Sequence, residues 1–406
     1  MRIAILGAGN AGTCAALELA RHGRQVDLFD DNETPISRAS FHNEGKVHLG
    51  FLYAKDRSLR TARLMLEGAL GFADLVNRWT GGKVESLNVS TPFYYGVHVG
   101  TMVDVDALAA HYGHCERIFD EIAAATKGRY LGVDASMSVQ RLSSPEMERL
   151  VDSRYFHALF RATERSVDPR TLAPLLRGAA LAESRIHFIG RSRITGVERT
   201  TEGALAVTFS RDGASHTESY DQVVNCLWHG RLAIDQTVGL APEFPWMNRY
   251  KFANRVSRPI ANGDLPSLTC VLGPFGDIVN YGPKGLFLSW YPEGMIGTST
   301  DLEPPDWDRQ LSAERRAEVF QRSHAEWLKR CPELARYAFA KDEVDPGGGV
   351  IFAWGDSDVQ DPCSKLHDRY DVGVYSTGNY HTVNTGKYTL SLLMGKRAAE
   401  RVMGIA

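Results

Sequence analysis

IAILGAGNAGTCAALELARHGRQVDLFDD, residues 3–31, begins with an apolar run, breaks at glycines and ends on paired acids. Residues 3–6 have the continuous apolar character of a buried parallel strand. Residues 11–22 carry apolar side chains at helical spacing, Gly23 stops the helix, and residues 26–29 form a second apolar run. This order predicts a βαβ unit. Gly7, Gly9 and Gly12 make GxGxxG where the first strand turns into the helix. In that pattern the first glycine permits the tight turn and the second lets the backbone approach a pyrophosphate, with Asn10 and Ala11 following it. The third lets the helix pack closely on the strand. The unpaired N–H groups and dipole of the helix start favour negative charge there. Asp30 ends the second strand, where an acid accepts hydrogen bonds from a ribose 2′-hydroxyl, and Asp31 is placed to share that role. A carboxylate repels a 2′-phosphate, so NAD or FAD fits better than NADP.

The chain has 406 residues, 43% of them hydrophobic and 23% charged, enough for two globular domains. A net charge of -3 gives no electrostatic reason for a nucleic-acid or anionic-membrane partner, so a small-molecule substrate is expected. Glycines interrupt the N-terminal apolar run, which argues against a signal peptide, and no apolar stretch approaches the roughly 20 residues of a membrane span. The 6 cysteines contain no CxxC pair, so reduced thiols and a cytoplasmic location are expected. HYGHC, residues 111–115, lies in a helix-like run and lacks a second ligand cluster, so no metal is expected.

Helical spacing recurs at 59–79, 105–125, 172–183 and 312–329. Residues 186–228 read as strands returning to the first sheet. Three runs between 267 and 291 read as an antiparallel meander with GPKG, residues 282–285, as a hairpin turn; the chain then closes as strand, loop and long helix. The expected class is α/β: a Rossmann-like nucleotide domain from residues 1–80, 165–230 and 345–406, and an α+β substrate domain on an antiparallel sheet from 81–164 and 231–344.

The segment SRASFHNEGKVHLGFLYAKDRSLRTARLMLEGA, residues 37–69, is a polar, histidine-bearing loop running into a helix, where a nicotinamide dehydrogenase would continue with another βα unit. It resembles the D-amino acid oxidase family of FAD enzymes, with a glutathione reductase-like nucleotide fold, and HNEGKVHLGFLY looks most like the L-2-hydroxyglutarate oxidase branch. The resemblance implies FAD, with Arg38, Ala39 and Ser40 along it and His42, Asn43, Lys46, Val47 and His48 near its isoalloxazine ring. Lys46 supplies a cation for charge on the reduced ring, and His48 a base near neutral pH; the alternatives are a solvated loop charge and a structural histidine. STGNYHTVNTGKY, residues 376–388, resembles the family's second flavin segment, implying contacts from Gly378, Asn379, Tyr380, His381, Thr382, Val383, Asn384 and Thr385. Of these, Thr382, Asn384 or Thr385 is placed to cap the last helix. VVNCLWHG, residues 223–230, would bring Cys226 and Trp228 to the cofactor, with Cys226 also readable as a small buried residue.

The substrate is less legible. The branch's carboxylate-binding arginine is missing from DPGGGVIFAWGD, residues 345–356. Lys251 and Arg255 could replace it, or be surface charges. Tyr281, Trp290, Tyr291 and Trp354 read equally as an aromatic roof over the flavin or as core. The reading as a whole is an FAD-dependent oxidoreductase taking hydride from a CH–NH or CH–OH carbon, with oxygen or another acceptor reoxidising the flavin. Its rivals are an NAD-linked dehydrogenase, a flavin monooxygenase and a non-catalytic FAD-containing binding module.

Overall fold

The structure, a computed structural model, describes residues 1–126, 129–132, 137–261 and 263–405. A six-stranded sheet carries the opening βαβ unit, in the order Gly373–Thr377, Tyr380–Asn384, Gln222–Asn225, Ile3–Leu6, Val26–Phe29, Ile186–Ile189. All neighbours are parallel except the first pair. Ile3–Leu6 is central and wholly buried, which explains its unbroken apolar run. Helices Asn10–Arg21, Arg60–Thr80 and Tyr388–Met403 nest closely over one face. A Cβ on Gly395 would stand 2.5 Å from the Ala11 carbonyl oxygen, and one on Gly68 2.7 Å from Leu390.

Strands Ser192–Arg199, Leu205–Arg211 and Ala214–Tyr220 form a separate antiparallel sheet. Only the first and last strands of the 186–228 stretch return to the parallel sheet. The reason is the tight turn at Asp212 and Gly213, both at positive φ, which folds the chain back on itself before it can cross over. Val197, Val207 and Phe209 then cover Ala4, Leu6 and Phe29.

The third body is a nine-stranded sheet. Its path runs Met295–Ser299, Trp246–Val256, Leu286–Trp290, Gly276–Asn280, Ser267–Cys270, Phe93–His98, Phe156–Ala162, Val139–Arg141, and Val344–Trp354 pairs along the whole of Trp246–Val256. The expected meander and its 282–285 turn are present, closed by Tyr281 N–H on the Gly285 carbonyl. A break at residue 345, however, would cut a continuous strand of this sheet. Alternation separates its faces: Leu268, Ile278, Leu288 and Trp290 pack on Trp327 of helix Ala313–Arg330. Tyr95, Ala253, Val279 and Phe287 instead face the core shared with the nucleotide-binding helices. Among the described residues, no helix is long and apolar enough to cross a membrane.

Candidate functional site

The glycine loop has the shape its sequence demands. Gly7 sits at φ +94°, and a Cβ there would lie 2.8 Å from the Cys226 carbonyl oxygen; a Cβ on Gly12 would overlap the Gly7 carbonyl at 1.9 Å. Gly9 is different, because the nearest atom to its missing Cβ is the Ser40 hydroxyl at 3.3 Å. That side is lined by groups suited to an anion: Asn10 N–H donates to Ser40 Oγ at 3.1 Å, and the first helical turn leaves further N–H groups without intrahelical acceptors. The Asp30 carboxylate accepts from Ala8 N–H at 2.7 Å and Asn32 N–H at 2.9 Å, fixing it beside the loop. Asp31 points outward and pairs with Arg38 at 3.4 Å. Arg38 also donates to Asn32, so it belongs to the exposed edge of the nucleotide end. These residues fit the adenosine and pyrophosphate half of a dinucleotide.

Residues 38–48 cross from this loop to the large sheet. Asn43 ties the loop to itself, donating to the Ala39 carbonyl at 2.8 Å and accepting from Gly45 N–H at 2.6 Å. Lys46 is buried: its ammonium donates to Thr269 Oγ1 at 2.5 Å and Asp277 Oδ1 at 2.7 Å, and lies 4.4 Å from the Phe93 ring centre. Lys251 approaches the other Asp277 oxygen at 3.5 Å. Desolvation would raise the Asp277 pKa, but Lys46 and Lys251 together hold it below the ordinary carboxylate range. Glu44 behaves alike: burial opposes its charge, yet Lys251, Lys46 and Lys387 keep its pKa lowered. Lys387, at the start of the last helix, is pushed down to about 8 by burial first and by nearby Arg369 second. Loop, sheet and helix start thus meet in one cluster of opposite charges. Asp277, Glu44 and Lys387 were not anticipated; a lone acid in GDIVNYG gives no signal until strand pairing sets it beside Thr269.

Val47 and His48 lie deeper. Val47 is fully buried and pairs with Arg165. His48 is 2% exposed, with its N–H on Thr389 Oγ1 at 2.9 Å and its Nδ1 3.4 Å from Glu164 Oε1. Burial lowers its pKa, against the pull of Glu164. Glu164 also accepts from Leu49 N–H at 2.5 Å and from the Tyr95 hydroxyl. The His48 ring is therefore buried beside this hydrogen-bonded set, its Nδ1 without a hydrogen-bond partner.

Phe41, His42, Asn43, Arg255, Phe287 and Gly347 wall a cavity of about 20 Å³. The glycine strand lies directly against the loop here. A Cβ on Gly347 would be 2.3 Å from His42 Nδ1, and one on Gly349 3.0 Å from Ala39 Cα. The cavity's volume matches about one water, too small for a tricyclic ring. Arg255 points into it. Its guanidinium donates to Asp168 Oδ2 at 2.6 Å and lies 4.1 Å from the Tyr281 ring centre, while Nη1 has no acceptor. It is an interior group, not a surface charge. A larger cavity, about 320 Å³, is elsewhere, lined by Arg60, Arg63, His114, Arg117 and Glu121, none of them an expected site residue.

The aromatic residues divide. Tyr281 borders the site, its hydroxyl on the Glu44 carbonyl at 2.6 Å. Trp290 is on the opposite face of the sheet against Trp327, because residues 286, 288 and 290 share that face. Tyr291 is bonded to Asp358 at 2.7 Å and Trp354 to the Asp371 carbonyl at 2.9 Å.

The second segment also divides. Gly378 and Asn379 form the turn before Tyr380–Asn384, at the far end of the parallel sheet from the glycine loop; Asn379 bonds the Gly203 and Asp221 carbonyls. His381 pairs with Gln222, while Tyr380 and Thr382 bind Asp235, beside Arg231. Val383 is core. Of the end of this run, Lys387 reaches the cluster, acting on Glu44. The last helix is N-capped by Lys387 with no side-chain bond, so none of Thr382, Asn384 and Thr385 caps it; Asn384 accepts from Gly386 N–H instead. Cys226 abuts Gly7 through its backbone, and burial pushes its thiol up to about 12, as for an inert core residue. Trp228 holds the glycine strand through Val350 at 2.7 Å. His111, in the abandoned metal motif, bonds the Gly50 carbonyl at 3.0 Å.

No curated protein matches the sequence. Among solved structures, iminodiacetate oxidase from Chelativorans sp. BNC1 superposes with TM-score 0.69 at 18% identity, covering 100% of this chain and 96% of that one. Glycine oxidase from Geobacillus kaustophilus gives 0.70 at 16%, covering 100% and 95%. L-proline dehydrogenase from P. horikoshii gives 0.63 at 13%, covering 99% and 91%. At such identities these likenesses establish the fold. The family model described as FAD dependent oxidoreductase, DAO, matches residues 2–401. With the glycine cradle and Asp30 in place, the chain belongs to the DAO family of FAD-dependent oxidoreductases.

Proposed function

We propose that this flavoenzyme oxidises a CH–NH or CH–OH group of a small substrate, an amine first, with oxygen or another small molecule as electron acceptor. The observation that carries the reading is the charge cluster of Glu44, Lys46, Lys251, Asp277 and Lys387, set where the loop, the large sheet and the last helix start converge. FAD, when bound, supplies a two-electron acceptor that takes hydride at N5.

In this reading residues 39–48 would hold the cofactor's ring system. The N–H groups of the glycine loop hold the pyrophosphate, and Asp30 holds the ribose. Lys46, Lys251 and Lys387, with the helix start, favour negative charge gathering at the ring. Arg255, with one unpaired nitrogen, orients a carboxylate, and Tyr281 excludes water beside it. Lys46 and His48, both buried, act by charge and by holding the loop rather than by exchanging protons with solvent. The iminodiacetate oxidase and glycine oxidase likenesses favour an amine substrate. The nucleotide domain then comprises the parallel sheet and its helices, and the substrate domain the large sheet. A cytoplasmic location with reduced thiols completes the proposal.

The test is an absorption spectrum of the purified protein followed by anaerobic titration with amino and hydroxy acids. Bleaching of flavin absorbance by an amino or imino acid supports the reading. A yellow protein that no donor of either class reduces favours a non-catalytic role and defeats it.

A further inference from the structure

The larger cavity, about 320 Å³, lies between the start of helix Arg60–Thr80 and one face of helix Val105–Thr126. Its volume is that of a small-molecule pocket, near the low end of the usual range of about 300–1,000 Å³. His114, Arg117, Ile118 and Glu121 come from the second helix, where steps of three and four residues put them on one side. Arg60 and Arg63 come from the first, one turn apart. Three guanidinium groups therefore wall one space, in a chain whose net charge is -3.

Among the described residues, Arg63 alone of the three has an ion-pair partner, Glu121 at 2.7 Å. Arg60 lies over the Tyr370 ring at 4.1 Å. The helix start does not call for these cations, because the buried Asp56 already accepts from Ser58 N–H and Thr61 N–H, each at 2.9 Å. Arginine at a helix start also runs against the helix dipole. The fold thus gains no ion pair from Arg60 or Arg117.

We propose that this cavity binds a small phosphate ester, with Arg60, Arg63 and Arg117 on the phosphoryl oxygens and the carbon part resting on Leu59 and Ile118. Such a group carries about 1.5 to 2 negative charges at pH 7 and three strong acceptor oxygens, which suits several guanidinium donors at once. A single carboxylate leaves part of the positive charge unmatched. Glu121 competes with the ligand for Arg63. The site shares no wall residue with the cavity at His42, so it rests on no placement of the cofactor.

The experiment is calorimetric titration of the full chain with phenyl phosphate and with inorganic phosphate, at fixed ionic strength and with excess FAD to fill the glycine loop. Phenyl phosphate should bind, and more tightly than inorganic phosphate. Arg60→Gln and Arg117→Gln should each weaken it by about tenfold, the loss of one charge-assisted hydrogen bond. Both side chains are exposed, so these variants should keep the parent melting temperature. Glu121→Gln should tighten binding a few-fold by removing the competing acid. No heat with phenyl phosphate overturns the proposal, as does unchanged affinity in both arginine variants. Inorganic phosphate binding as tightly as the ester overturns the assignment of an ester. Failure of every donor to reduce the flavin would defeat the proposed reaction and leave this result standing.

Discussion

Asp168 and Arg255 form an ion pair at 2.6 Å between two parts of the molecule. Asp168 caps helix Pro169–Ala182 through Arg170 N–H at 3.0 Å, and Arg255 lies in Trp246–Val256 of the large sheet. Both are almost fully buried. Removing one partner leaves the other charge desolvated, so Asp168→Ala should lose about 3–5 kcal/mol of stability in urea unfolding. Asp168→Asn keeps an acceptor for the cap and should lose less. Equal losses would mean that the ion pair, and not the cap, carries the stability.

The three glycines of the nucleotide loop should respond in a graded way. Gly7→Ala and Gly12→Ala place a methyl against backbone and should abolish soluble, flavin-containing protein. Gly9→Ala meets only the movable Ser40 hydroxyl, so it should fold and lose flavin occupancy. The ratio of visible to ultraviolet absorbance after purification measures this; full occupancy in Gly9→Ala would contradict the pyrophosphate placement.

Trp290 and Tyr281 were equivalent in sequence and are not in space. Trp290→Ala opens a hole beside Trp327 and should cost about 3–5 kcal/mol in thermal or urea unfolding, with substrate preference among folded molecules unchanged. Tyr281→Phe loses only its bond to Glu44 and should alter KM or selectivity with a small change in stability. The reverse pattern would return Trp290 to the site.

Acid should weaken the fold within a defined window. Burial first, and Arg38, Arg330 or Arg401 second, lower His229, His98 and His381 to about 4. The unfolded chain takes up these protons near pH 6.5, earlier than the folded one, so their stabilisation is complete above that value and is lost as pH falls from 6.5 toward 4. Unfolding free energies across this range should decline, and His229→Gln should flatten the slope. A level profile would show that these rings are not held neutral.

Much of the nucleotide half was legible because its signals are local. A wholly buried parallel strand must be continuously apolar, and the glycine spacing is fixed by contacts within a dozen residues. The large sheet was harder to read. Trp246–Val256 carries Asn248, Arg249, Asn254 and Arg255 in buried positions, so it shows no apolar alternation, and it is a strand because Val344–Trp354 pairs along it. The same distance in sequence hid Asp277, whose meaning depends on Lys46. The family loop identified Lys46 and His48 by position, yet their burial comes from Phe93, Thr269 and Glu164, residues far along the chain. Gly378 and Asn379 were misplaced because a turn and a strand each read as part of one segment, whereas the strand between them and Asn384 separates the two ends.

The eleven-residue pairing of Trp246–Val256 with Val344–Trp354 bears on how the protein is made. The same late stretch of chain also supplies Tyr380–Asn384, which zips onto Gln222–Asn225. A ribosome that has released only the first 340 residues therefore exposes unsatisfied edges on both sheets. Completion of both sheets must wait until residues 344–384 have been made, and a product truncated before them should be captured by chaperones or aggregate rather than persist as a half-molecule.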